Sequence, residues 1–141
     1  MDAECAEIGK HRITVEDSIL IGAISSPWTR AEMQEYFALV LDVYKRRGPV
    51  YLMTIIKPGY ALSPEARKYI AEWGKQHPDV VVGNIVVGAS LAIRAVLRLA
   101  QAAVNLLSPS RIELTLVDTE EQARAWIAHD QEARRAAAKS V

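Results

Sequence analysis

The chain has 141 residues, half of them hydrophobic, enough for one domain with a substantial core and too few for two ordinary ones. Seventeen basic residues balance seventeen acidic ones, and no basic cluster is interleaved with aromatic side chains, so nucleic acid is not an expected partner. The single cysteine, Cys5, excludes an internal disulfide framework and a cysteine-based metal site, and fits a reducing cytoplasm.

Asp2, Glu4, Glu7, Glu16 and Asp17 crowd the first twenty residues, without the basic start and apolar run of a signal peptide. Residues 1–10 are expected to form a frayed segment. His11 to Val15 and Ser18 to Ile24 then flank Glu16-Asp17, which has the length and polarity of a hairpin turn, and predict two antiparallel strands. Pro27 closes the second strand. Thr29 and Glu32 form a capping box ahead of Met33, Phe37, Val40, Leu41 and Tyr44, spaced as one helix face, and Arg46-Arg47-Gly48 supplies the cations and glycine of a helix end.

Val50 to Ile56 is a continuous apolar run, the mark of a central strand covered on both faces, and Lys57-Pro58-Gly59 ends it. Ser63 caps a second helix with Pro64 at its first position and Glu65 at the positive end of its dipole. Ala66, Tyr69, Ile70 and Trp73 form its buried stripe, with Gly74 and Pro78 as terminators. A fourth strand, the apolar run from Val80 to Val87, leads through Gly88 into a third helix. Ile112 to Val117 reads as the last strand, and Asp118-Thr119 with Gln122 opens a final helix that turns Ala123, Trp126 and Ile127 inward. Beyond His129 the pattern fades, so residues 130–141 are expected to be a solvated helix end or tail.

The third helix is the unusual element. At about 100° per residue, Arg94, Arg98, Gln101 and Asn105 share a sector about 60° wide, while Leu91, Ile93, Val96, Leu97, Leu99, Val104, Leu106 and Leu107 cover most of the rest. A sheet covers one side of a helix, so the excess apolar surface implies a subunit interface, a hydrophobic ligand or a membrane surface. A membrane span is not expected, because Arg94 and Arg98 would sit inside it at roughly 2.5–3.5 kcal/mol each.

The whole reads as a single α/β domain over residues 1–141, in the order β-β-α-β-α-β-α-β-α. Right-handed crossovers make a mixed, mostly parallel sheet of four or five strands with four helices. This order, with the Ser63-capped helix after a central strand, the apolar strand entering the third helix and the final Asp118-Thr119-Glu120-Glu121-Gln122-Ala123-Arg124-Ala125-Trp126 segment, resembles the STAS superfamily. The likeness is to the bacterial branch related to anti-sigma factor antagonists and compared with Sec14-type lipid carriers, and it covers roughly Arg12 to His129. It implies a non-enzymatic interaction or sensing domain, in some members switched by phosphorylation. The position matching the phospho-acceptor lies close to Ser63, but Ala61-Leu62-Ser63-Pro64-Glu65 lacks the Asp-Ser-Ser-Gly-like context, and an ordinary N-cap explains the serine.

Gly88-Ala89-Ser90-Leu91-Ala92, followed by Asp118 and His129, has the serine, acid, histidine order of an α/β-hydrolase. Such a fold needs more strands than this chain supplies and a histidine on a loop, whereas His129 is predicted within a helix. Catalysis is therefore not expected. No phosphate-binding loop follows Gly83 or Gly88. His11, His77 and His129 are scattered without metal-ligand spacing and are expected at the surface, and neither a metal nor a cofactor is implied.

Two roles are weighed for the third helix. In the first, Leu97 and Val104 lie in a homodimer interface and Arg94 and Arg98 form a solvent stripe, in a cytoplasmic module that acts by protein association. In the second, the helix encloses a hydrophobic, lipid-like ligand against the sheet, with Tyr60, Arg94, Arg98 and Gln101 as contacts.

Overall fold

Six strands, β1 (Glu4–Ile8), β2 (His11–Glu16), β3 (Ile19–Ile24), β4 (Val50–Ile56), β5 (Val81–Val87) and β6 (Leu114–Val117), form one sheet whose spatial order is the order of the chain. Four helices, α1 (Arg30–Arg47), α2 (Pro64–Gln76), α3 (Leu91–Leu107) and α4 (Glu120–Lys139), complete the fold. The computed structural model describes residues 4–107 and 114–139, apart from the side chains of Val104 and Leu107. Ile112, expected in the last strand, lies outside the described residues.

β1, β2 and β3 form an antiparallel meander, and β3 to β6 run parallel. Each parallel step moves one strand in the same direction, so right-handed crossovers place α1, α2 and α3 on one face. The alternation of side chains agrees with this. Leu20, Ile24, Leu52 and Val50 pack with Met33, Phe37, Val40 and Trp73 of α1 and α2, and Val86 packs with Leu97 of α3. Their strand neighbours Ile21, Tyr51, Met53, Ile85 and Val87 point the other way, onto Ala123 and Ile127 of α4.

β1 corrects the expectation of a frayed start. Glu4 and Glu7 made the segment look solvated, and as an edge strand it does expose its charges while burying Ile8. It pairs along all five residues with β2, and Arg46 of α1 reaches Glu4. The helix ends need one correction as well. Gly48 caps α1 as expected, but α2 runs through the buried Gly74 to Gln76. The tail continues as the exposed end of α4, anchored where Asp130 accepts from the Tyr51 hydroxyl at 2.7 Å and from Arg134 at 2.8 Å.

His11 is not at the surface. Its ring is 1% exposed, stacks on Trp28 at 3.9 Å between centroids, and places Nε2 3.3 Å from Glu32 Oε1. Glu32 also accepts from the Thr29 backbone, closing the capping box. The Thr29 amide and then His11 hold its carboxyl below the ordinary carboxylate range. A carboxyl depressed in the folded state contributes stability above its unfolded pKa, about 4.3, and loses it as pH falls through the folded value. Thermal unfolding midpoints should therefore fall on acidification below about pH 4.3, and Glu32→Gln, which keeps a capping-box residue, should flatten that acid limb. An unchanged limb would remove Glu32 from the account.

Candidate functional site

The parallel strands carry two polar residues where their runs are otherwise apolar: Thr54 in β4 and Asn84 in β5. Both belong to the face covered by α1, α2 and α3. Thr54 stands in register with Gly22 of β3 and Val86 of β5, and Asn84 stands beside Leu52. Gly22 carries no side chain beside Thr54, and a Cβ there would press on the side chains of Ile13 and Ile24 at 3.1 and 3.3 Å. A cavity of about 110 Å³ lies over these residues, beneath the helices.

Its floor is Gly22, Ile24, Leu52, Thr54, Asn84 and Val86, and its walls are Met33, Tyr36 and Phe37 of α1 with Trp28 before it. Ile70 of α2, Tyr60 and Leu62 of the loop ahead of α2, and Leu97, Ala100 and Gln101 of α3 enclose the remainder. A second cavity of about 50 Å³ shares Phe37, Leu52, Ile70, Asn84 and Gln101 with it. Larger hollows of about 500 and 270 Å³ lie outside α1 and α2, but exposed long side chains such as Arg30, Lys68 and Glu72 line them, and they are open surface.

The polar groups of the inner cavity fall into two sets. Asn84 donates to Gln101 Oε1 at 3.1 Å, and Gln101 donates to Asn105 at 3.4 Å, a chain of amides that ties β5 to α3. The hydroxyls of Tyr36 and Tyr60 have no hydrogen-bond partner among the described residues. Burial alone pushes the Tyr60 phenol up to about 12 and raises that of Tyr36 further above the ordinary value. Both phenols are thus protonated donors at neutral pH.

α3 is turned opposite to the simplest expectation. Its polar stripe faces inward: Gln101 lines the cavity and Asn105 is half-buried. Arg94 is also half-buried, its Nε donating to the Ala89 carbonyl at 3.0 Å and its terminal nitrogen pairing with Asp118 at 3.0 Å. Only Arg98 meets solvent as a stripe residue should. Neither arginine lines the cavity. Leu91, Leu99 and Leu106 are instead 86%, 67% and 86% exposed. Leu97, expected in an interface, is buried on Val86 and Ala89, and the side chain of Val104 lies outside the described residues. The turn follows from Asn84: burying this amide requires a partner, and Gln101 on the inward face provides it.

Among the other residues singled out in the sequence, Ser63 accepts from the Ala66 amide at 3.1 Å and is the N-cap of α2. Ser63→Ala should cost about 1 kcal/mol in denaturant unfolding; a loss near zero would mean that the cap is dispensable. Ser90 caps α3 in the same way, Asp118 is committed to Arg94, and His129 is exposed on α4. No hydrogen bond joins Ser90, Asp118 and His129 among the described residues. Sequence reasoning reached Tyr60 and Gln101 and missed Thr54, Asn84 and Tyr36. The signal for the first two was present, a polar residue in the middle of each of two adjacent buried strands.

No protein-family model matches the chain, and no curated protein matches it in sequence. Its structure is similar to the crystal structure of an uncharacterized protein from the DUF3478 family with a SpoIIAA-like fold, from Shewanella loihica PV-4. The TM-score is 0.58 at 13% identity, over 89% of this chain and 91% of that one. The fold is SpoIIAA-like, that of STAS domains, as the sequence resemblance implied. At 13% identity the likeness bears on the fold alone.

Proposed function

We propose that this SpoIIAA-like domain is a non-enzymatic, cytoplasmic carrier or sensor of a small apolar molecule held between α3 and the sheet. The observation that carries this reading is the cavity of about 110 Å³ with two unpartnered phenols in its wall. Mostly apolar walls with a few convergent polar groups are the usual make-up of a ligand site, and the amide chain from Asn84 to Asn105 holds the cover in one position. An apolar cavity of about 150 Å³ accepts benzene, so this one, at about 110 Å³, admits a single ring at most, and that only where α3 yields slightly. Native mass spectrometry on protein purified without detergent tests the reading, with Ala100→Phe as the filled-cavity control. A bound mass on the order of 100 Da, absent from the variant, supports it. An empty chain that also takes up no benzene would contradict it.

The outer face of α3 favours a second reading, self-association. Leu91, Leu99 and Leu106 are joined there by exposed Ala92, Ala95, Ala102 and Ala103, an apolar strip with Arg98 at its edge. Leu99→Glu should convert a sedimenting dimer to monomer without loss of folding, and a dimer that survives the change places the contact elsewhere.

A further inference from the structure

We infer that the occupant of the cavity is an uncharged, ring-sized molecule bearing a hydroxyl or carbonyl group, selected by the hydroxyls of Tyr36 and Tyr60. This rests on the reading of the cavity as a ligand site and adds the chemical class of the ligand. Three observations carry it. First, no charged side chain lines the cavity. Of the two α3 cations nearest its wall, Arg98 is exposed on the outer side of the helix and Arg94 is engaged by Asp118 and the Ala89 carbonyl. A carboxylate or phosphate placed there would lose its hydration and gain no counter-charge, which opposes binding of an anion.

Second, a purely apolar occupant would leave the two phenol hydroxyls of the wall without partners, whereas Asn84 and Gln101 are already paired. Tyr36 is 8% exposed, and its hydroxyl, like that of Tyr60, makes no hydrogen bond among the described residues. Neither hydroxyl is among the fully buried unpaired polar atoms, which among the described residues are His11 Nδ1 and Arg67 Nε, so both are accessible to a ligand oxygen that would supply the hydrogen bond an apolar occupant withholds. Third, the donors are hydroxyls and not ammonium or guanidinium groups. They suit a neutral acceptor, and Thr54 adds a third hydroxyl that accepts as readily as it donates. Trp28, Phe37 and Leu52 hold the hydrocarbon part of the ligand.

The experiment is an NMR titration of the isotope-labelled full chain with benzyl alcohol, sodium benzoate and toluene, which share a ring and differ in its polar group. It is repeated on a Tyr36→Phe/Tyr60→Phe double variant, which keeps both rings in place. The expected result is shifts at cavity residues with benzyl alcohol, at least tenfold weaker binding of benzoate, and a fall of at least fivefold in the alcohol-to-toluene affinity ratio in the double variant. Benzoate binding as tightly as the alcohol, or an unchanged ratio in the double variant, overturns the inference while leaving a ligand cavity in place. If none of the three compounds shifts the cavity residues, both the inference and the ligand reading fail. Should the double variant not fold, Tyr60→Phe alone, in the loop ahead of α2, is expected to lower the same ratio at least twofold, and an unchanged ratio overturns the inference.

Discussion

Phe37→Ala lowers the free energy of unfolding by about 3–5 kcal/mol, the range for removing a buried aromatic ring. Phe37 is 5% exposed and sits at the centre of an aromatic group, 4.4 Å from the Trp73 ring, 5.2 Å from Tyr36 and 5.9 Å from Tyr69. It is the ring through which α1 meets α2, and it walls both inner cavities. Truncation therefore removes transfer free energy, aromatic contacts and close packing together, and joins two voids that the ring divides. Against a total stability of about 5–15 kcal/mol for an ordinary domain, the variant should be marginal at body temperature. Denaturant unfolding followed by tryptophan fluorescence measures the loss. A value below about 1 kcal/mol would mean that α1 and α2 are held together by something other than this group.

Gly59→Ala is the second large effect, and it couples the backbone to the cavity. Gly59 has φ of +97°, and a Cβ there would meet the carbonyl oxygen of Ser25, a backbone atom that cannot rotate away. Positive φ with a side chain costs about 1–3 kcal/mol, and the clash adds to it. The next residue is Tyr60, whose amide donates to Lys57 at 3.1 Å and whose ring lines the cavity. Relief of the clash thus moves a cavity wall. Gly88→Ala is the comparison: φ is +78°, but the nearest atom to its Cβ would be the Ile56 oxygen at 3.9 Å, an ordinary contact. Gly59→Ala should therefore destabilise more than Gly88→Ala and shift the Tyr60 ring resonances. Equal losses in the two variants would show that only the backbone angle matters.

The sheet and its helices were legible because their signals are local. Thr29 with Glu32, Ser63 with Ala66, and Thr119 with Gln122 each satisfy helix-end amides across three residues. The runs Val50–Ile56 and Val81–Val87 are apolar at nearly every position because helices cover both of their faces. Element order and the mixed, mostly parallel sheet could be read from these features. β1 could not, because an edge strand needs few apolar residues and takes its stability from hydrogen bonds to β2, which its own composition does not announce.

His11 and α3 show the same limit from opposite sides. His11 is a polar residue at a strand start, and its burial depends on Trp28 and Glu32, which come from the following loop and helix. The periodicity of α3 determined how wide its apolar and polar sectors are, but not which of them meets the sheet. Polar groups go inside when they find partners there, and the partner of Gln101 is Asn84, seventeen residues earlier. The sequence by itself determined the elements, their caps and their order, since those arise from interactions within a turn or two. The tertiary structure alone decided the edge strand, the inward turn of the amide stripe and the cavity beside it, because each rests on contacts between segments distant along the chain.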